Sequence, residues 1–198
     1  MPGKAARTTA YITKTIAPIF NKHGYLGTSL SDLTKATNLT KGALYGNFAN
    51  KEALAMAAFN YNAQLLLEAL DNKLDFPGSV TQKLSAITDF YSHYHETSAP
   101  WGGCPIVNIG VDANGNNEKL QKACTNLVKK VEQRIASVLD KGVKNGELHL
   151  PVPPLQFAKQ FFTMIQGGVT MTTVTGDRKY LTNTMAYLDQ LVAKEIKK

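Results

Sequence analysis

Apolar residues along this 198-residue chain recur at three- and four-residue spacing, and no convincing run alternates in the manner of a strand. The pattern predicts an all-α fold of about nine helices. Ile12, Ile16, Ile19, Phe20 and His23 share one face of a first helix, which Gly24 is expected to end. Pro18 lies inside that helix and predicts a kink, because proline lacks an N–H and crowds the carbonyl of Lys14. Ser29, with Asp32 three residues on, resembles a capping box and opens a short second helix with Leu30, Leu33 and Ala36 inward. A third short helix starts at Thr40. Asn50 caps a longer fourth helix through Leu54, Ala58, Tyr61, Leu65 and Leu70.

Phe76-Pro77-Gly78 breaks the pattern. Ser79 with Gln82 then forms a second capping box, and Leu84, Ile87, Tyr91 and Tyr94 line the helix behind it. Residues 97–117 are the least regular stretch, rich in glycine, proline and asparagine around a short apolar piece ending at Val111. A long helix over 118–144 follows, with Leu120, Cys124, Leu127, Val131, Ile135, Val138 and Leu139 on its inner side. Gly146 and the prolines Pro151, Pro153 and Pro154 set it apart from two last helices, 155–173 and 178–196. There is no internal repeat and no flexible linker, so a domain boundary is expected inside the fourth helix.

Composition narrows the class. With 43% hydrophobic and 19% charged residues the chain is an ordinary globular protein. No stretch reaches the ~18 apolar residues of a membrane span, and no apolar run follows the basic N-terminus as in a secretory signal. Two cysteines, Cys104 and Cys124, are too few for a disulfide framework and suit reduced thiols in a cytoplasm. The net charge of +7 is unevenly placed: residues 1–60 carry +5, residues 61–198 only +2. A basic head suggests a polyanion such as nucleic acid. An anionic membrane surface would attract the same head, so the motif decides.

Residues 29–48, SLSDLTKATNLTKGALYGNF, read as two short helices joined by a tight turn, a helix-turn-helix. Leu30, Leu33, Ala36, Leu39 and Leu44 are expected to lock the pair against the first helix. Thr40 can cap the third helix and turn its free N–H groups toward a phosphate. Gly42 lets the helix approach a duplex closely, and Lys41 can reach a phosphate or a guanine edge. Tyr45 and Asn47 are expected to face outward with hydrogen-bonding tips, and Lys51 to contact the DNA backbone.

From about Ala6 to Gln64 the chain closely resembles the DNA-binding domain of the TetR family of bacterial transcriptional regulators. The matching stretches are Phe20-Asn21-Lys22-His23-Gly24-Tyr25, Thr28-Ser29-Leu30, Leu39 through Tyr45, Phe48 and Lys51-Glu52-Ala53-Leu54. The resemblance implies a DNA-binding domain over 6–66 and a ligand-binding and dimerisation domain over 67–198. It implies that Thr40, Lys41, Gly42, Tyr45 and the position of Asn47 meet DNA, while Thr28, Ser29 and Lys51 hold phosphates. The family usually has histidine where Asn47 stands. The implied partners are a palindromic double-stranded operator, a second copy of the chain bound through the last two helices, and a small-molecule inducer. A repressor is the expected role, in the cytoplasm and without a cofactor; an activator or DNA-organising protein would carry the same head.

The remaining two thirds have no comparable signature. Phe90, Tyr91, Tyr94, Trp101, Cys104 and Asn108 combine aromatic walls with polar tips and are the candidate ligand pocket, although an ordinary core has the same composition. Gly102-Gly103-Cys104-Pro105 resembles a segment of a TetR subgroup in which some members sense electrophiles or oxidants through a cysteine. The inducer is therefore expected to be hydrophobic or thiol-reactive, with Cys104 either a sensor or a small buried hydrophobe. His93 and His95 point to different sides of a helix and make a poor metal pair, so no metal site is expected. No phosphate loop, nucleophile elbow or paired carboxylates suggest an enzyme.

Overall fold

The computed structural model describes residues 3–196, which form ten α-helices with no strand among the described residues. In chain order they are α1 (Lys4–Gly27), α2 (Leu30–Thr37), α3 (Lys41–Asn47), α4 (Lys51–Leu74), α5 (Val80–Ser92), α6 (Tyr94–Ser98), α7 (Pro105–Ala113), α8 (Glu118–Lys144), α9 (Pro154–Thr175) and α10 (Lys179–Leu191). A 3-10 turn covers Ala99–Trp101, and a π-helical turn covers Val192–Ile196. Two of the ten were not among the expected elements: α6, at the edge of the stretch expected to be irregular, and α7, inside it. Pro105 there starts a helix, since its missing N–H is one the first turn leaves unbonded anyway.

The helices gather into two compact units. The first holds the residues up to Leu66 together with Ser98–Leu127; the second holds Leu67–Thr97 and the residues from Val128 onward. Lys197 and Lys198, the end of the expected 67–198 body, lie outside the described residues.

In the first unit α1 packs on α2, α3 and α7. Its buried stripe is Ile12, Ile16, Ala17, Phe20, Asn21 and Gly24, while His23 is exposed. Burying each large apolar side chain stabilises the fold by about 1.5–3 kcal/mol, so this stripe fixes α1. The backbone keeps helical angles at Pro18; the residue that departs from them is Gly24, at φ 75° and ψ 175°. In α2 the inward positions are Leu33 and Thr37, with Leu30 half-buried and Ala36 exposed. Thr37 can be buried because its hydroxyl donates to the Leu33 carbonyl at 2.7 Å.

In the second unit α10 packs on both α9 and α5. Phe161, Phe162, Ile165 and Val169 of α9 and Leu181, Met185 and Leu188 of α10 are buried within the chain's own core. A methyl group at Gly168 would stand 3.2 Å from the Leu181 side chain, so glycine is what permits this approach. Among the described residues no helix is long and apolar enough to cross a membrane.

Candidate nucleic-acid interface

The helix-turn-helix is built by its caps. Ser29 accepts from the Asp32 N–H at 3.2 Å, and the Asp32 carboxylate accepts from the Ser29 N–H at 2.8 Å, completing the expected capping box. The Ser29 hydroxyl also donates to that carboxylate, which holds the Asp32 carboxyl below its usual range. Asn38 makes the turn with a left-handed φ of 54°, a conformation asparagine tolerates better than most residues. Thr40 then caps α3 by accepting from the Ala43 N–H at 3.1 Å, and Leu44 anchors the helix in the core. Asn50 caps α4 through the Ala53 N–H at 2.8 Å.

With Leu44 inward, Thr40, Lys41, Gly42 and Tyr45 are exposed on α3. The Lys41 ammonium lies 5.9 Å from the Tyr45 ring centroid, so these two side chains, one turn apart, share a face. Asn47 behaves differently from Tyr45. It is half-buried, its amide nitrogen donates to the Ala43 carbonyl at 2.9 Å, and its oxygen accepts from the Thr9 hydroxyl at 3.1 Å. The reason is tertiary: α1 passes close enough for Thr9 to capture it. Thr28 is fully buried and its hydroxyl donates to the Gly24 carbonyl at 2.7 Å, whereas Ser29 is exposed. Lys51 stands over the Tyr25 ring, 4.8 Å from its centroid.

Residues 98–127 are bound to this head by polar contacts. The Asn21 side chain, 1% exposed, donates to the carbonyls of Trp101 and Gly103 at 2.8 and 2.6 Å. Asn108 donates to the carbonyls of Asn21 and Gly102 at 3.0 and 3.1 Å. The Glu52 carboxylate accepts from Asn117 at 3.2 Å and from the Lys119 ammonium at 2.6 Å, and that ammonium holds the Glu52 carboxyl below its usual range. The Asp112 carboxylate accepts from the Tyr25 N–H at 2.6 Å. Sequence reasoning did not single out Asn21, Glu52 or Asp112, because their partners lie more than sixty residues away. One signal was present: Asn108 and Asp112 are four apart on the otherwise apolar α7.

The six candidate pocket residues divide between the units. Phe90, Tyr91 and Tyr94 belong to the second, where their ring centroids are 4.9–5.5 Å apart and Tyr91 also meets Phe162. Trp101, Cys104 and Asn108 belong to the first. Cys104 is 3% exposed, beside the equally buried Cys124, whose thiol burial pushes up to about 11. Gly102 and Gly103 have positive φ, and a methyl at Gly102 would stand 2.2 Å from the Pro18 carbonyl oxygen. None of the six lines either of two cavities in the second unit. One, of about 350 Å³, is walled by Lys83, Arg134, Lys141 and Glu147 among others; the other, of about 430 Å³, is an open groove at Gly167 and Tyr187. Among the described residues no group of three or more potential ligands could hold a metal ion.

Two family models match the chain. The one for bacterial regulatory proteins of the tetR family covers residues 12–58, and the one for the tetracyclin repressor-like C-terminal domain covers residues 80–188. A TetR family transcriptional regulator from Cytophaga hutchinsonii superposes with a TM-score of 0.89 at 31% identity, over 98% of this chain and 96% of that one. A TetR transcriptional regulator from Chloroflexus aurantiacus superposes with a TM-score of 0.92 at 26% identity, over 98% of both. The HTH-type transcriptional repressor NemR of Escherichia coli strain K12 is 24% identical over 176 residues, 87% of each chain.

Proposed function

The chain belongs to the TetR family of bacterial transcriptional regulators, and on that premise we propose that it represses transcription by binding a palindromic operator as a homodimer. Residues 6–66 are its DNA-binding domain and 67–198 its ligand-binding and dimerisation domain, and it works in the cytoplasm without catalysing a reaction. The observation that carries the reading is the face of α3. Thr40, Lys41, Gly42 and Tyr45 are exposed there together, while Leu44 behind them fixes the helix. Lys41 and Tyr45 read base edges or phosphates, and Gly42 allows the close approach. Ser29 and Lys51 take phosphates on either side. Thr28 can serve only through its backbone, and Asn47 reads DNA only after giving up its contact with Thr9.

Dimerisation uses the outer faces of α9 and α10. The stripes through Phe161 and Leu188 are already buried, which leaves Met171, Val174, Tyr180 and Tyr187 exposed beside the groove at Gly167. Two-fold symmetry then sets the recognition helices on half-sites about one helical turn, ~34–36 Å, apart. A small molecule that favours a different spacing releases the DNA by shifting the population. A hydrophobic inducer suits this chain better than a thiol-reactive one, because Cys104 is buried.

Selection of bound fragments from sheared genomic DNA, followed by footprinting, tests the reading. The expected footprint has two inverted half-sites and a stoichiometry of one dimer. Recovery of no enriched sequence, or of a single half-site bound by a monomer, would contradict it.

A further inference from the structure

An uninterrupted α-helix would join the Asn21 carbonyl to the Tyr25 N–H. Gly24 breaks that bond by leaving helical angles. Both orphaned groups are nonetheless satisfied, and by one neighbour. The Tyr25 N–H donates to the Asp112 carboxylate at 2.6 Å, and the Asn21 carbonyl accepts from the Asn108 amide at 3.0 Å. Asn108 and Asp112 are four residues apart on α7 and so lie on one face. α7 and α1 belong to the same unit. A methyl at Gly24 would stand 2.5 Å from the Asp112 carboxylate, so the glycine also clears the space that the carboxylate occupies.

The broken turn is where the chain bends toward the candidate phosphate contacts. The Gly24 carbonyl accepts from the buried Thr28 hydroxyl at 2.7 Å, and Ser29, the cap of α2, follows directly. The Tyr25 ring carries the Lys51 ammonium at 4.8 Å. Tyr25 and Gly24 thus set the placement of both Ser29 and Lys51. We propose that Asn108 and Asp112 of α7 are positioning residues for DNA binding, which replace the missing turn of α1 and thereby hold Ser29 and Lys51 where they meet phosphates. The proposal rests on the reading of this head as a DNA-binding domain. Its physical content is that an ångström of movement in α7 takes both bonds beyond hydrogen-bonding range together.

The test measures binding of the full chain to a fluorescent duplex of mixed sequence across a salt series, with melting temperatures in parallel. Asp112→Ala removes the acceptor; Asp112→Asn keeps an oxygen for the Tyr25 N–H and serves as the conservative rescue. Asp112→Ala is expected to weaken binding about five- to tenfold, through both Ser29 and Lys51, and to lower the salt slope by about one unit, because of the two only the Lys51 cation releases a counterion. Asp112→Asn keeps the native slope. Combining Asp112→Ala with Lys51→Ala lowers the slope no further than Lys51→Ala alone, because the slope reads only the cationic contact, which both substitutions remove. Asn108→Ala gives the same direction through the other bond and decides the matter if Asp112→Ala does not fold. A lower melting temperature with an unchanged slope in Asp112→Ala or Asn108→Ala would overturn the proposal and leave the DNA-binding reading intact. Failure of the unsubstituted chain to bind the duplex at low salt would overturn both.

Discussion

α3 and the segment Ser98–Ala113 lie in the same unit and contain the chain's two most distinctive stretches, Thr40-Lys41-Gly42 and Gly102-Gly103-Cys104. Each places glycine beside a reactive or charged residue. They use it in opposite ways. On α3 a methyl at Gly42 would meet nothing nearer than the Thr40 hydroxyl at 3.9 Å, and Lys41 and Tyr45 point to solvent. In the second segment Gly102 presses on the α1 backbone and Gly103 on the Asn108 side chain, and Asn108 and Cys104 are taken up by the chain's own packing. Distinctive residues therefore mark either a surface left open or a joint closed tightly, and only burial and bonding tell the two apart.

The same substitution at Gly42 and Gly102 is expected to have opposite effects. Gly102→Ala forces a methyl onto the Pro18 carbonyl at a backbone φ of 81°. It is expected to cost about 3 kcal/mol or more in denaturant unfolding. Gly42→Ala is expected to leave stability unchanged or raise it by about 0.5–1 kcal/mol, as alanine does for glycine in an exposed helix. Its damage appears instead in operator affinity. Equal destabilisation by the two would remove the distinction.

Tyr45→Ala comes next, with an expected loss of about 1–3 kcal/mol in operator binding and less on mixed-sequence duplex. An unchanged ratio of the two affinities would end its recognition role. Lys51→Ala is milder: it should weaken binding to all sequences alike and reduce the salt slope by about one unit. The smallest expected effect concerns Cys104 of the closed segment and the neighbouring Cys124 of α8. Burial raises the Cys124 thiol to about 11, so at neutral pH its thiolate is scarce, and Cys104 is 3% exposed. Native protein should resist thiol labelling at pH 7. Because the folded thiol ionises at higher pH than the unfolded one, its stabilising effect is complete below about 9 and is lost as pH rises through about 11. Rapid labelling of Cys104 in the native state would reopen a sensing role.

Local rules made much of the fold legible. Ser29 with Asp32, Thr40, Asn50, and Ser79 with Gln82 all cap helices as their spacing predicted, because a cap depends on residues three apart. The bounds Glu118–Lys144 of α8 also agree, since its apolar period persists for 27 residues. The helix α7 was not legible, because proline and glycine punctuate it as they punctuate loops. Ala36 was expected inward and is exposed, and Asn47 was expected outward but is drawn in by its bond to Thr9 of α1. The site shows the same limit: exposed residues of α3 follow from one buried leucine, whereas the joint at Asn21 depends on partners eighty residues distant.

The exposed face of α3, and not the segment around Cys104, is proposed to meet DNA. Amide hydrogen exchange with and without saturating duplex DNA tests it most directly. New protection is expected at 40–46 and at Ser29 and Lys51, with 101–108 unchanged. Protection confined to 101–108, or none at α3, would contradict it.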